Sequence, residues 1–175
     1  MFTHNLPLKL KKRIIFMLTA FIVVASAKAQ STASLPAHVK GNTQALLPKV
    51  IIMGDANQSQ FESALEVDYQ KLLLTACGND VSKASIAWNQ LSLDMEAFGA
   101  AEKFDLDGLK VWVYVLFNST GKMDHLAYYL KPGSRFIRPE EFGPFLEKFM
   151  AQYQLSVTAT YNFSQYGSLV FPNPK

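Results

Sequence analysis

The sequence predicts an α+β fold, a three-stranded antiparallel sheet packed with helices in the order helix-helix-strand-strand-helix-strand. Three observations carry this. Apolar residues step by three and four through residues 61–98 and again through 142–153, the spacing of one helical face. Between these segments, residues 109–130 form two apolar runs joined by the polar turn Asn118-Ser119-Thr120-Gly121, a hairpin signature. Tyr161 to Phe171 alternates weakly and reads as a last strand.

The chain begins with an export signature. Lys9, Lys11, Lys12 and Arg13 precede the largely apolar run Ile14 to Ala27, and Ala25-Ser26-Ala27 and Ala27-Lys28-Ala29 both fit the small-x-small pattern of a signal peptidase site. Cleavage is expected after Ala29, leaving Gln30 first. The alternative, an uncleaved anchor, requires more than fourteen residues: at about 1.5 Å each they span roughly 21 Å of a roughly 30 Å hydrocarbon core. The expected location is therefore exported, periplasmic or secreted, with no integral membrane segment after cleavage.

Removing residues 1–29 changes the charge. Five of the 17 Lys and Arg residues lie there and none of the 14 acids does, leaving twelve bases against fourteen acids, a net charge of −2. The sequence pI of 8.9 thus reflects the leader. No Lys/Arg run remains after residue 30, which argues against a nucleic-acid partner.

Residues 30–53 read as a tether or short strand. Ser31, Thr32, Ser34, Pro36, Gly41, Asn42 and Pro48 give a loop composition, and Val50 to Met53 is an apolar run too short to assign. Residues 54–175 are expected to form one domain, and about 145 mature residues suffice for a real core. Phe61, Leu65, Tyr69, Leu72 and Ala76 predict a first helix, with Asn57 or Ser59 as N-cap and Gly78 at its end. Val81, Ala84, Trp88, Leu91, Met95 and Phe98 predict a second, capped by Asp80. In the first strand Leu109, Val111, Val113, Val115 and Phe117 face one way and Trp112, Tyr114 and Leu116 the other, so both faces need cover. The expectation is that the third helix covers one face and the two earlier helices the aromatic one. That third helix carries Phe142, Phe145, Leu146, Phe149 and Tyr153, and because Pro144 lacks an amide proton its regular part is expected to start near Gly143.

Candidate chemistry is sparse. Cys77, the single cysteine, lies in an apolar run and reads as buried and inert. After cleavage only His38 and His125 remain, neither at metal-ligand spacing with another ligand type, so neither a metal nor a cofactor is expected. Asp55 to Ser59 weakly matches a calcium loop, but Gln60 stands where glycine is required. Adjacent Asp124 and His125 would project to opposite faces of a strand, which does not suit a triad. The pairs Glu140/Glu141 and Asp105/Asp107 fit a helix start and a turn. Lys131, Arg135 and Arg138 form a basic group that is a candidate anion or acidic-peptide contact. Without a catalytic set, no enzymatic activity is expected.

From about residue 91 to 172 the chain resembles the C-terminal domain of the TonB family of periplasmic proteins. Met95 to Phe98 leads into Gly108-Leu109-Lys110-Val111; Val113 to Phe117 follows with the turn Asn118 to Gly121, then the phenylalanine-rich helix and a strand ending in Phe171-Pro172. The family's tyrosine-proline pair before its first strand is replaced by Ala97-Phe98, and the proline-rich spacer is absent. The resemblance implies an adaptor that accepts a protein or peptide strand at an exposed sheet edge, with Tyr161, Phe163 and Tyr166 as the partner-binding residues. A second reading is an exported enzyme or small-ligand carrier with an aromatic pocket near Trp112, Tyr114, Tyr128 and His125.

Overall fold

The computed structural model describes residues 46–172. The leader, its cleavage site, His38 and most of the expected tether lie outside them. The described elements are β1 (Val50–Ile52), α1 (Gln58–Asp68), β2 (Lys71–Leu72), α2 (Leu73–Ala76), α3 (Val81–Glu102), β3 (Lys110–Phe117), β4 (Met123–Leu130), α4 (Pro139–Gln152) and β5 (Phe163–Val170). No described helix is long and apolar enough to cross a membrane.

The expected three-stranded antiparallel sheet is corrected. The sheet is mixed and five-stranded, in the order β1-β4-β3-β5-β2. Its centre is antiparallel: β3 pairs with β4 from Val111↔Leu130 and with β5 from Lys110↔Val170. The two added strands are parallel. β1 pairs Val50–Ile52 with Leu126–Tyr128, and β2 pairs Lys71–Leu72 with Phe163–Ser164. At three and two residues, neither is long enough to show a strand period in the sequence.

The helix expected to run from Phe61 to Ala76 is also broken. α1 stops at Asp68, where the Tyr69 amide still bonds the Leu65 carbonyl, and the chain then extends to meet β5 before turning into α2. Tyr69 holds the break in place: its ring is buried and its hydroxyl donates to Asp124 Oδ2 at 2.7 Å. Sheet pairing and this buried bond override a helical stripe worth only tenths of a kcal/mol per residue. α4, conversely, runs unbroken from Pro139 with Pro144 inside it. Pro144 and Glu140, whose carbonyl the missing amide would have bonded, are both exposed, so water can serve that oxygen.

The two faces of β3 are covered unequally. Val111, Val113, Val115 and Phe117 enter the main core with Leu91 and Met95 of α3 and with Phe142, Leu146 and Phe149 of α4. Phe98 joins the two helices, its ring 5.4 Å from Phe145 and 5.6 Å from Phe149. α3 therefore lies with α4, not over the aromatic face as the sequence led us to expect. On the second face α1 alone builds a smaller core of Ile51, Phe61, Tyr69, Leu116 and Ala127, with Phe61 edge-on to Tyr114 at 5.9 Å. The rest of that face stays open: Tyr129 is 40% and Tyr166 43% exposed.

The hairpin turn is fixed from outside. Gly121 has φ +86°, and a Cβ there would lie 2.6 Å from the carbonyl oxygens of both Leu155 and Val157, so only glycine fits. Asn118 Oδ1 accepts from the Thr120 and Lys122 amides, which closes the loop.

Four tyrosines give the fold an alkaline limit. Burial raises the phenols of Tyr69, Tyr114, Tyr128 and Tyr153 above their ordinary value, and at Tyr69 the bond to Asp124 adds to it. A raised folded value means the native state holds protons that the unfolded chain releases above about pH 10. Their contribution is complete below that pH and is lost as pH rises through the folded values. Urea midpoints are expected to be level from about pH 8 to pH 9.5 with respect to these groups and to fall steadily above about pH 10.5. A midpoint unchanged at about pH 11.5 contradicts this.

Candidate functional site

β5 is half finished as a sheet strand. Tyr, Phe and Val residues favour the extended state, and all eight of its residues pair with β3. On its other side β2 pairs only Phe163 and Ser164. From Gln165 to Val170 no described strand lies alongside.

The direction of the backbone groups follows from the ladder. Phe171 donates its amide to the Leu109 carbonyl at 2.9 Å, and antiparallel bonding alternates along a strand. Leu169, Gly167 and Gln165 therefore bond β3, while Tyr166, Ser168 and Val170 aim their N–H and C=O groups outward. The Gln165 side-chain amide donates to the outward Tyr166 carbonyl at 3.0 Å, a local substitute for a strand partner.

A helix walls this edge. Trp88, Asn89, Ser92 and Leu93 of α3 and Ser168, Leu169 and Val170 of β5 enclose a groove of about 500 Å³. Trp88 reaches the strand because residue 167 is glycine: a Cβ there would sit 3.0 Å from the indole Nε1. Leu93 is 48% exposed and supplies apolar surface beside the groove.

On the opposite side of β5, the open sheet face holds an aromatic row. Trp112 lies 6.5 Å from Tyr129 and 6.0 Å from Tyr166, and Tyr114 lies 5.0 Å from Tyr166, with interplanar angles of 24°, 33° and 35°. Such cross-strand ring pairs stabilise the sheet. Lys131 reaches from the end of β4 across β3 and donates to Ser168 Oγ at 2.8 Å.

The residues singled out in the sequence separate. Tyr161 is half-buried against the main core. Phe163 is 0% exposed, stacked on Phe117 at 5.3 Å, and lies where β2 closes the edge. Tyr166 stands on the open stretch. Of the basic group, Arg135 donates to the carbonyls of Asp107 and Asp105 and pairs with the Asp105 carboxylate, and Arg138 pairs with Glu141. Only Lys131 of the three lies at the sheet face.

The alternative pocket is placed differently from its expected lining. A cleft of about 200 Å³ between α1 and the sheet is bounded by Ile51, Met53, Phe61, Leu65, Tyr114 and Ala127, with Gln58 and Glu62 beside them. Trp112 and His125 do not line it. Tyr128 belongs to the main core, edge-on to Phe142 at 5.1 Å. The His125 ring donates from Nδ1 to the Pro48 carbonyl at 2.9 Å, while Asp124 accepts from Tyr69 and Asn118. Cys77 is buried, which pushes its thiol up, and Asp55 accepts from the Asn57 amide in a turn. Among the described residues no three His, Cys, Asp or Glu side chains come together as a metal site would need.

Sequence reasoning missed Trp88, Leu93 and Ser168. One signal was available: a glycine inside a strand pattern marks the close approach of another element, and Gly167 is such a residue. No family model matches the sequence, and no curated protein or solved structure matches the chain.

Proposed function

We propose that this domain binds a protein or peptide by accepting an extended segment along Gln165–Val170, which becomes an added strand between β5 and α3. The observation that supports this most directly is the set of outward backbone groups at Tyr166, Ser168 and Val170, with no strand alongside among the described residues and a groove beside them. Main-chain bonds to an edge strand give affinity without dictating sequence, and the walls on either side select side chains. Here one wall is apolar, from Trp88 and Leu93, and the other aromatic, from Tyr166. Edges of this kind are normally blunted by charge, proline, a bulge, or a helix or loop laid over them; here α3 stands beside the edge with a groove between them. None of Gln165, Tyr166, Gly167, Ser168, Leu169 and Val170 is charged or proline, and the one irregularity in the central pairings falls between Leu116 and Phe117, away from this stretch.

The test is selection of linear heptapeptides from a random library against the purified protein, followed by backbone amide mapping. Shifts are expected at Tyr166, Ser168 and Val170, with indole shifts at Trp88. Selected peptides that perturb only the α1 cleft, at Phe61, Leu65 and Tyr114, would transfer the function to that site.

A further inference from the structure

We infer that the segment accepted by β5 carries an acidic residue at the position opposite Ser168, read by Lys131. This rests on the strand-addition reading above and names the chemistry of its partner.

Lys110 and Lys131 face each other directly: the Val111↔Leu130 register places them as neighbours, and the Lys131 amide donates to the Lys110 carbonyl at 2.8 Å. Like charges in that relation repel. Their ammonium groups diverge. Lys110 turns toward the turn at Gly133, where a Cβ would lie 3.8 Å from Nζ, and Lys131 crosses β3 to Ser168. Among the described residues neither pairs with an acid; the ion pairs belong to Arg135, Arg138 and Lys148. Neither ammonium thus has an ion-pair partner among the described residues, and that of Lys131 rests on Ser168 of the strand that forms the docking edge.

Side-chain geometry then picks the partner position. Tyr166, Ser168 and Val170 share the open face, because residues two apart along a strand project alike. A residue opposite Ser168 on an added strand has its Cβ about 5 Å from that of Ser168. A carboxylate there meets two donors, the Lys131 ammonium and the Ser168 hydroxyl, which can rotate its proton outward while its oxygen keeps the lysine. Flanking residues on that face meet Tyr166 and Val170, and those of the other face meet Trp88 and Leu93. The class of ligand is an extended, alternating peptide with one acid among apolar or aromatic residues. Arg135 and Arg138 contribute little to it, since each is already paired.

The experiment uses three synthetic peptides, acetyl-Thr-Val-Thr-Xaa-Thr-Val-Thr-amide with Xaa as Glu, Gln or Lys, titrated into the purified protein and into Lys131→Met and Arg135→Met variants while backbone amides are followed. The Glu peptide is expected to bind about three- to ten-fold more tightly than the Gln peptide at low salt, with less preference at high salt. Lys131→Met is expected to abolish the preference for Glu over Gln; Arg135→Met is expected to keep it. Equal Glu and Gln affinities with shifts still at Tyr166, Ser168 and Val170 reject the acidic position and leave strand addition standing. A preference that survives Lys131→Met also rejects it. Shifts at Lys110 and Lys131 with a silent β5 reject both readings, as does the absence of β5 shifts with all three peptides.

Discussion

Ser168→Pro is expected to weaken selected peptides at least ten-fold while leaving the domain folded. The Ser168 amide points away from β3, so its removal leaves the β3–β5 ladder intact, and proline is tolerated in edge strands when its ring faces the open side. The ring would occupy the place of a partner's carbonyl. The contrast is Gln165→Pro, three residues earlier, whose amide belongs to the ladder opposite Val115. That change is expected to destabilise the protein by about 3 kcal/mol or more, because it deletes a sheet bond and forces the ring against a neighbouring strand. Ser168→Ala, which keeps the amide, should retain neutral-peptide binding. Wild-type affinity in Ser168→Pro, measured by titration calorimetry on protein of native circular dichroism, would remove β5 as the docking edge.

Phe117→Ala is expected to cost about 3–5 kcal/mol by urea denaturation. Phe117 is 0% exposed, stacks on Phe163, and closes the end of the main core at the sole register shift between β3 and β4. Domains of this size are stable by roughly 5–15 kcal/mol, so the variant would retain little reserve. Trp112→Ala, on the open face, is expected to cost less, since that ring is only half-buried and leaves no sealed cavity. Equal losses at the two positions would mean that the aromatic face is as closed as the core.

The last strand holds two roles that its sequence leaves joined. Tyr161, Phe163 and Tyr166 are the aromatic residues of a short alternating run, and nothing local distinguishes them. Position in the sheet does: Phe163 is held between Phe117 and the pairing with β2, whereas Tyr166 sits past the end of β2 on the open face. The basic group divides for a similar reason. Arg135 and Arg138 find acids within reach of their own loops, while Lys131 spans the sheet to a serine 37 residues away.

What the sequence determined by itself is whatever a local period or turn encodes: the β3–β4 hairpin with its glycine turn, the stripe of α3 with Asp80 as its cap, and the phenylalanine face of α4. The Asp80 carboxylate accepts from the Lys83 amide at 3.0 Å, the bond its position promised. Tertiary structure decided the rest. Val50–Ile52 and Lys71–Leu72 become strands only because β4 and β5 lie ready beside them, and a two- or three-residue parallel pairing has no periodicity of its own. The same pairing ended α1 early, and it reaches no further along β5 than Ser164, opposite Leu72 at the end of β2. The open edge is therefore a product of long-range packing, since backbone donors and acceptors are identical at every residue and only the arrangement of neighbours determines which remain available.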